Sequence, residues 1–241
     1  MNERMKVKPA NETLRGRILA AMWQNLFPGL ILWCIGLALV CSYYFWTETR
    51  PAFEKVIQWK VQYGYAYSAL STAFFGGVIP YFYLRWSGVE RIGLHWGHGV
   101  LFIAYWALRG LDVDAFYRLQ AWLFGADNHW LTITKKVLVD QFVYCVLWAS
   151  PVTAFFYEWK EADFSFSKWR RQWNSSSLVD KIIVFMVSTW IVWIPATAIV
   201  YSLPLPLQIP LFNLTLCFFV LLVSVFSRKK GNPSRPSGEE A

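Results

Sequence analysis

Residues Thr134 to Phe156 read TKKVLVDQFVYCVLWASPVTAFF, an apolar segment long enough to cross a bilayer, which takes about 20 residues. It opens on Lys135 and Lys136 and carries Asp140 and Gln141 about one helical turn inside. A charge at the centre of a membrane helix costs roughly 2.5 to 3.5 kcal/mol on insertion scales, so it normally faces a bundle interior or a wet cavity and has a partner. The stretch therefore implies other helices packed around it. If Asp140 lines a hydrated path, water can solvate it; if it is structural, its counter-ion is expected to be Lys136, one turn away, Arg118 or another cation.

The whole chain has the same character. It is 56% hydrophobic and 19% aromatic, with only 16% charged residues against the usual quarter. The formal charge of +8 sits in short clusters between apolar runs rather than along one soluble face, so basicity here encodes orientation and not nucleic-acid binding. The first seventeen residues are mostly polar and no small-residue cleavage site closes the uncharged run after them, so no signal peptide is expected. Cys34, Cys41, Cys145 and Cys217 lie in apolar runs without C-x-x-C spacing and read as small packing residues.

Outward from the central segment, uncharged runs mark further spans. Residues 1 to 27 form a basic, interfacial start. Pro28-Gly29 is expected to break the long run there and to leave the first span at 29–46. The next, 63–84, carries small-residue rows at spacing four, with Ala69, Ala73, Gly77 on one and Gly76 on the other. Such rows allow the close backbone approach on which helix association in lipid depends, and Pro80 should kink the far end. A third span, 97–119, is interrupted by Arg109, Asp112, Asp114 and Arg118, whose spacings of three and four put them side by side on a helix. They are either self-neutralising pairs near a membrane surface or a polar wall inside the bundle. The central span, 137–157, follows a Gly-Ala-Asp-Asn turn at 125–128.

Between Glu158 and Lys181, aromatic and basic residues interleave. With Ser165 as N-cap, Phe166, Trp169 and Trp173 share one face of a short helix suited to an anionic headgroup surface. No charge occurs from Ile182 to Ser227, which accommodates spans at 182–202 and 207–227 about a Pro-rich turn, with a kink at Pro195. The tail, 229–241, reads as disordered. The fold expected is an all-α integral membrane bundle over 28–228, with about six spans plus short interfacial helices. On one side lie Arg4, Lys6, Lys8, Arg15, Arg17, Arg85, Arg91, Lys160, Lys168, Arg170, Arg171, Lys181, Arg228, Lys229, Lys230 and Arg235; on the other Arg50, Lys55, Lys60, Lys135 and Lys136. That bias places both termini on the cytoplasmic side, in the inner membrane of a bacterium or an organelle membrane of a eukaryote.

From Gly110 onward the chain resembles the family of the twenty-two kilodalton peroxisomal membrane protein and its mitochondrial relative, Mpv-seventeen. The resemblance rests on Gly110-Leu-Asp-Val-Asp-Ala-Phe116-Tyr117, on Lys135-Lys136 followed by Asp140-Gln141, on Trp193-Ile-Pro195, on Leu205-Pro206 and, with a short deletion, on Asn213 and Ser224. Leu111, Asp114, Gly77, Val146 and Tyr201 depart from the family's pattern, as in a divergent, bacterial-type member. The resemblance implies a pore in an organelle-type membrane.

No H-E-x-x-H, G-x-S-x-G or phosphate-cradling loop is present, and no enzyme is expected. His95 and His98 on one helix are too few ligands for a metal or haem without others, and His129 lies near the opposite face, so no cofactor is expected. The candidate pore-lining or buried polar residues are Arg109, Asp112, Asp114, Arg118, Asp140 and Gln141. Mixed signs argue against a strong ion-selectivity ring and for a weakly selective small-solute pathway. The alternative is a structural membrane protein whose buried charges fix helix packing. Membrane lipids, anionic headgroups included, are the expected partners; a homo-oligomer is allowed and nucleic acid is not expected.

Overall fold

A computed structural model describes residues 13–87, 96–173 and 175–231. Most of the 85–91 turn, the start of the basic N-terminal segment and nearly all of the 229–241 tail lie outside them. Among the described residues the chain is helical, with no strand. Helix α1 is Leu14–Phe45, and a 3-10 turn at Thr47–Thr49 leads into α2, in which Arg50–Thr72, kinked at Gly64 where the backbone leaves the helical region, is followed directly by a π-helical stretch Ala73–Val78 and by Ile79–Ser87. Helix α3 is Trp96–Phe124. Helix α4, Trp130–Glu161, contains a second π-helical stretch, Asp140–Ala149. The short α5 is Phe166–Gln172, α6 is Ser175–Tyr201 and α7 is Leu205–Gly231. Four stretches are long and apolar enough to cross a membrane: Leu14–Phe45, Trp130–Glu161, Leu178–Tyr201 and Leu205–Leu222.

Helix α1 continues through Pro28, where a break was expected. Pro28 and Gly29 are buried against α6, and a Cβ on Gly29 would sit 2.9 Å from Val192 Cγ2, while one on Gly36 would sit 3.2 Å from Ile199 Cγ2. The dipeptide is thus a point of close helix approach, and the neighbouring helix stabilises the backbone that the proline disturbs. Polar bonds follow the same seam. Asn25 Nδ2 donates to the Ser188 carbonyl at 3.3 Å and Trp33 Nε1 to that of Val192 at 3.0 Å. Arg17 pairs with Asp180 at 2.8 Å at one end, and Tyr44 donates to the Ser202 carbonyl at 2.7 Å at the other. Helices α1 and α6 therefore run parallel along their whole shared length.

The ends of the helices alternate accordingly. His98 at the start of α3 lies against Phe164, ring centroids 5.0 Å apart, and Lys181 pairs with Glu158, so these segments gather near Arg17. Asn128 donates to Tyr44 at 3.2 Å at the opposite end, where Gly125, at φ 98°, closes α3.

Both π stretches stop two residues before a proline, Pro80 and Pro151. A proline cannot donate to the carbonyl four residues back and its ring crowds that carbonyl; the widened turn moves it aside. The distortion expected at Pro80 takes this form, whereas α6 passes through Pro195 without interruption. Small residues mark where α2 meets its neighbours. A Cβ on Gly76 would lie 2.8 Å from Leu216, one on Gly77 3.1 Å from the Ile103 Cα, and one on Gly110 would overlap the Ser68 carbonyl. Ala73 is buried beside them and Ala69 half-buried.

Candidate functional site

Helices α3, α4, α6 and α7 line a half-open cavity of about 130 Å³. Arg109 comes from α3, Asp140, Gln141, Tyr144, Cys145, Ser150 and Thr153 from α4, and Thr189 and Thr197 from α6; Trp106, Trp193, Phe212 and Leu216 complete an apolar remainder. The π stretch explains the α4 contribution. Its longer turn keeps Asp140, Tyr144 and Ala149 in one file, with Gln141, Cys145 and Ser150 beside it, and leaves Leu147 72% exposed on the outside. An ordinary helical period would not bring Ser150 under Gln141.

Asp140 is held by neutral donors. Tyr201 donates to one oxygen at 2.6 Å and Gln141 Nε2 to the other at 2.8 Å; Tyr201 in turn receives Gln120 Nε2 at 2.5 Å. Gln141 Nε2 also reaches Thr197 at 3.1 Å. The expected contact with Lys136 or Arg118 is replaced by these bonds. Lys136 is buried with its ammonium 5.7 Å from the centre of the Tyr201 ring, the residue whose hydroxyl is bonded to Asp140. Arg118 instead lies 4.7 Å over Tyr65 and donates to Asp114 at 3.2 Å.

The charged groups on α3 divide into two sites. Arg109 donates to Asp112, which also accepts from Tyr144 at 3.2 Å and Trp148 Nε1 at 2.9 Å, at the edge of the cavity. Asp114 and Arg118 lie away from the cavity, facing α2. There Lys60 Nζ reaches Asp114 at 2.5 Å, Ser68 Oγ at 2.6 Å and the Gly64 carbonyl at 3.0 Å, and Ser68 donates to Asp114 at 2.9 Å. Both side chains of the Lys60–Asp114 pair are almost fully buried, at 4% and 2% exposure. Gly64 bends α2 with φ 52°, ψ −120°, a left-handed φ that favours glycine, and so turns its carbonyl to the ammonium. Of the six polar candidates, the structure thus brings Arg109, Asp140 and Gln141 to the cavity, holds Asp112 at its edge and places Asp114 and Arg118 elsewhere.

Lys60, Tyr201, Gln120 and Thr197 carry as much of the polar interior but stand out little in the sequence. Lys60 reads there as a loop charge. A further bridge joins α2 to α7, where Thr72 donates to Asn213 Oδ1 at 2.7 Å and Asn213 Nδ2 to Ser71 at 2.9 Å. Outside the bundle, α5 begins with Ser165 accepting from the Lys168 amide. Phe166 is 65% exposed, Trp169 half-buried between it and Trp173, and Trp173 stacks on Phe155 with centroids 5.6 Å apart. Among the described residues no cluster of His, Cys, Asp and Glu could hold a metal ion. No known protein family, curated protein or solved structure matches the chain.

Proposed function

We propose that this multi-span membrane protein has six spans, both termini cytoplasmic, and an interior cavity that forms part of a weakly selective pathway for small solutes. The observation that carries this reading is the cavity itself: hydroxyl, amide and ionisable groups from three helices converge on one space inside a bundle whose outer surface is apolar. Polar groups are costly at that depth and mark solute paths in membrane proteins. The sequence resemblance to the Mpv-seventeen family supports the same function.

Helices α2 and α3 complete the six spans in this reading. Each is long enough, and their interior charges Lys60 and Asp114 neutralise one another, so neither enters lipid unpaired. Lys60 and Lys136 are both buried and drop out of the loop charges, which sharpens the positive-inside bias. In the same reading α5 lies on anionic headgroups, with Phe166 and Trp173 inserted and Lys168, Arg170 and Arg171 above.

A second reading, a structural protein with no transport, draws on one specific observation: Arg109 and Asp140 each already have protein partners. Single-channel recording of the pure protein and of Asp140→Asn separates the two. A pathway residue gives a folded variant with altered conductance, since the amide still accepts from Tyr201. A structural residue gives a silent parent and a variant of lower thermal stability. An Asn variant that conducts as the parent does and is equally stable overturns both.

A further inference from the structure

The helix seams of the bundle are not alike. Glycines bring α1 against α6 at Gly29 and Gly36 and α3 against α2 at Gly110, where a neighbour fills the space a side chain would take. No glycine occurs in α4 from Trp130 to Glu161, and from Asp140 onward its backbone packs on α6 but not directly on α3. Large side chains span the α3–α4 seam instead. Phe116 of α3 stacks on Tyr144 of α4, ring centroids 4.0 Å apart, and Tyr105 donates to Thr153 at 2.9 Å. Between these two contacts along the seam, Asp112 accepts from Tyr144 at 3.2 Å and from Trp148 Nε1 at 2.9 Å.

At Asp112 this wall is one side chain thick. Arg109 and Tyr144 line the cavity, and Asp112 bonds to both at its edge with its own side chain 27% exposed. Trp148, bonded to the same carboxylate, is 51% exposed on the outer surface. It stands midway along the uncharged run 141–157, so in the six-span reading that surface meets hydrocarbon. The bonds that close the wall can part without separating charge. Asp112 pairs with Arg109 three residues back on its own helix, so the ion pair stays whole on α3 when Tyr144 and Trp148 let go. A charged solute is excluded from the lipid side of such a wall, whereas an uncharged molecule dissolved in the bilayer reaches it freely. We infer that the α3–α4 seam is a lateral portal, closed by the Tyr144 and Trp148 bonds to Asp112, through which small uncharged molecules dissolved in the bilayer enter the cavity. This rests on reading the cavity as a solute site, and its test measures entry apart from conduction.

Cys145, half-buried in the cavity wall, is a native reporter of entry. The full-length protein carrying Cys34→Ala, Cys41→Ala and Cys217→Ala is placed in nanodiscs and treated with N-methyl-, N-ethyl- and N-phenylmaleimide. Modification is followed by intact mass, and each rate is divided by that reagent's rate with glutathione. Entry from lipid makes the normalised rate rise with membrane partitioning along the series, and a charged methanethiosulfonate, normalised in the same way, should be slower than N-phenylmaleimide by about tenfold or more. Tyr144→Phe/Trp148→Phe keeps two rings but removes both donors to Asp112. It should speed N-phenylmaleimide about fivefold or more and leave the charged reagent unaltered. The parent series alone keeps the proposal falsifiable if the double variant fails to fold. A flat series, or no modification of Cys145, overturns the proposal. A double variant that reacts as the parent does overturns it too, as expected if the mouth lies instead at Phe185, the cavity residue of α6 that is 43% exposed. A rising series in a protein that shows no conductance leaves this inference standing and removes the pathway reading; conductance with a flat series does the reverse.

Discussion

Lys60 and Asp114 form the most deeply buried ion pair among the described residues, and the pair carries Ser68 and the Gly64 carbonyl with it. Replacing one partner strands a charge. Lys60→Met should lower stability by about 3 to 5 kcal/mol, whereas the double variant Lys60→Met/Asp114→Leu should recover most of the loss, because two apolar side chains need no partner. Thermal unfolding in detergent measures both. A single variant as stable as the parent would mean that Arg118, 3.2 Å from Asp114, suffices as its counter-ion. At this scale the sequence is only partly legible. Asp140 and Arg109 stand out because a charge in an apolar run is rare, but the groups that hold Asp140 are a tyrosine sixty-one residues away and its own neighbour. A tyrosine in an apolar run carries no such signal.

The start of α4 shows how a loop acts on an element. Asp127 accepts from the His129 amide at 2.9 Å and from the Thr132 side chain, and these bonds hold its carboxyl below the ordinary value of 3.8. A depressed folded-state pKa adds stability that is present above the unfolded value and is lost as pH falls through the folded one. The parent should therefore lose stability on acidification below about pH 4, and Asp127→Asn should flatten that part of the profile. Identical pH profiles for the two proteins would remove Asp127 from the acid response. Helix positions were readable from charge-free runs and from the Gly-Ala-Asp-Asn turn. The two π stretches were not, because a proline shows that a helix must adjust without showing whether it kinks, widens or continues. Pro80 and Pro151 follow widened turns, while Pro28 and Pro195 lie in uninterrupted helices.

Across the whole molecule, the parallel seam of α1 and α6 fixes which ends of the bundle share a side. With the native cysteines removed, Gly36→Cys and Ile199→Cys should cross-link on oxidation in membranes. Under the proposed orientation, an impermeant thiol reagent applied to intact cells should label a cysteine at Asn128 and spare one at Ser167. The reverse pattern would invert the orientation, and labelling of both would break the six-span count. The alternation of basic clusters in the sequence is what predicts that orientation. Which helices touch was not legible, because an apolar face looks the same whether it meets lipid or another helix.

The seam also constrains how the protein is made. Asn25 meets Ser188 across 163 residues of chain, so α1 leaves the ribosome without its neighbour and lacks it until α6 follows. At about 5 to 20 residues per second that wait is roughly ten to thirty seconds. During it the Asn25 amide and the notches at Gly29 and Gly36 face lipid or whatever chaperone covers them. A nascent chain stalled before α6 should therefore hold α1 in a form open to quality-control proteases, and completion of α6 is the step that removes it from their reach.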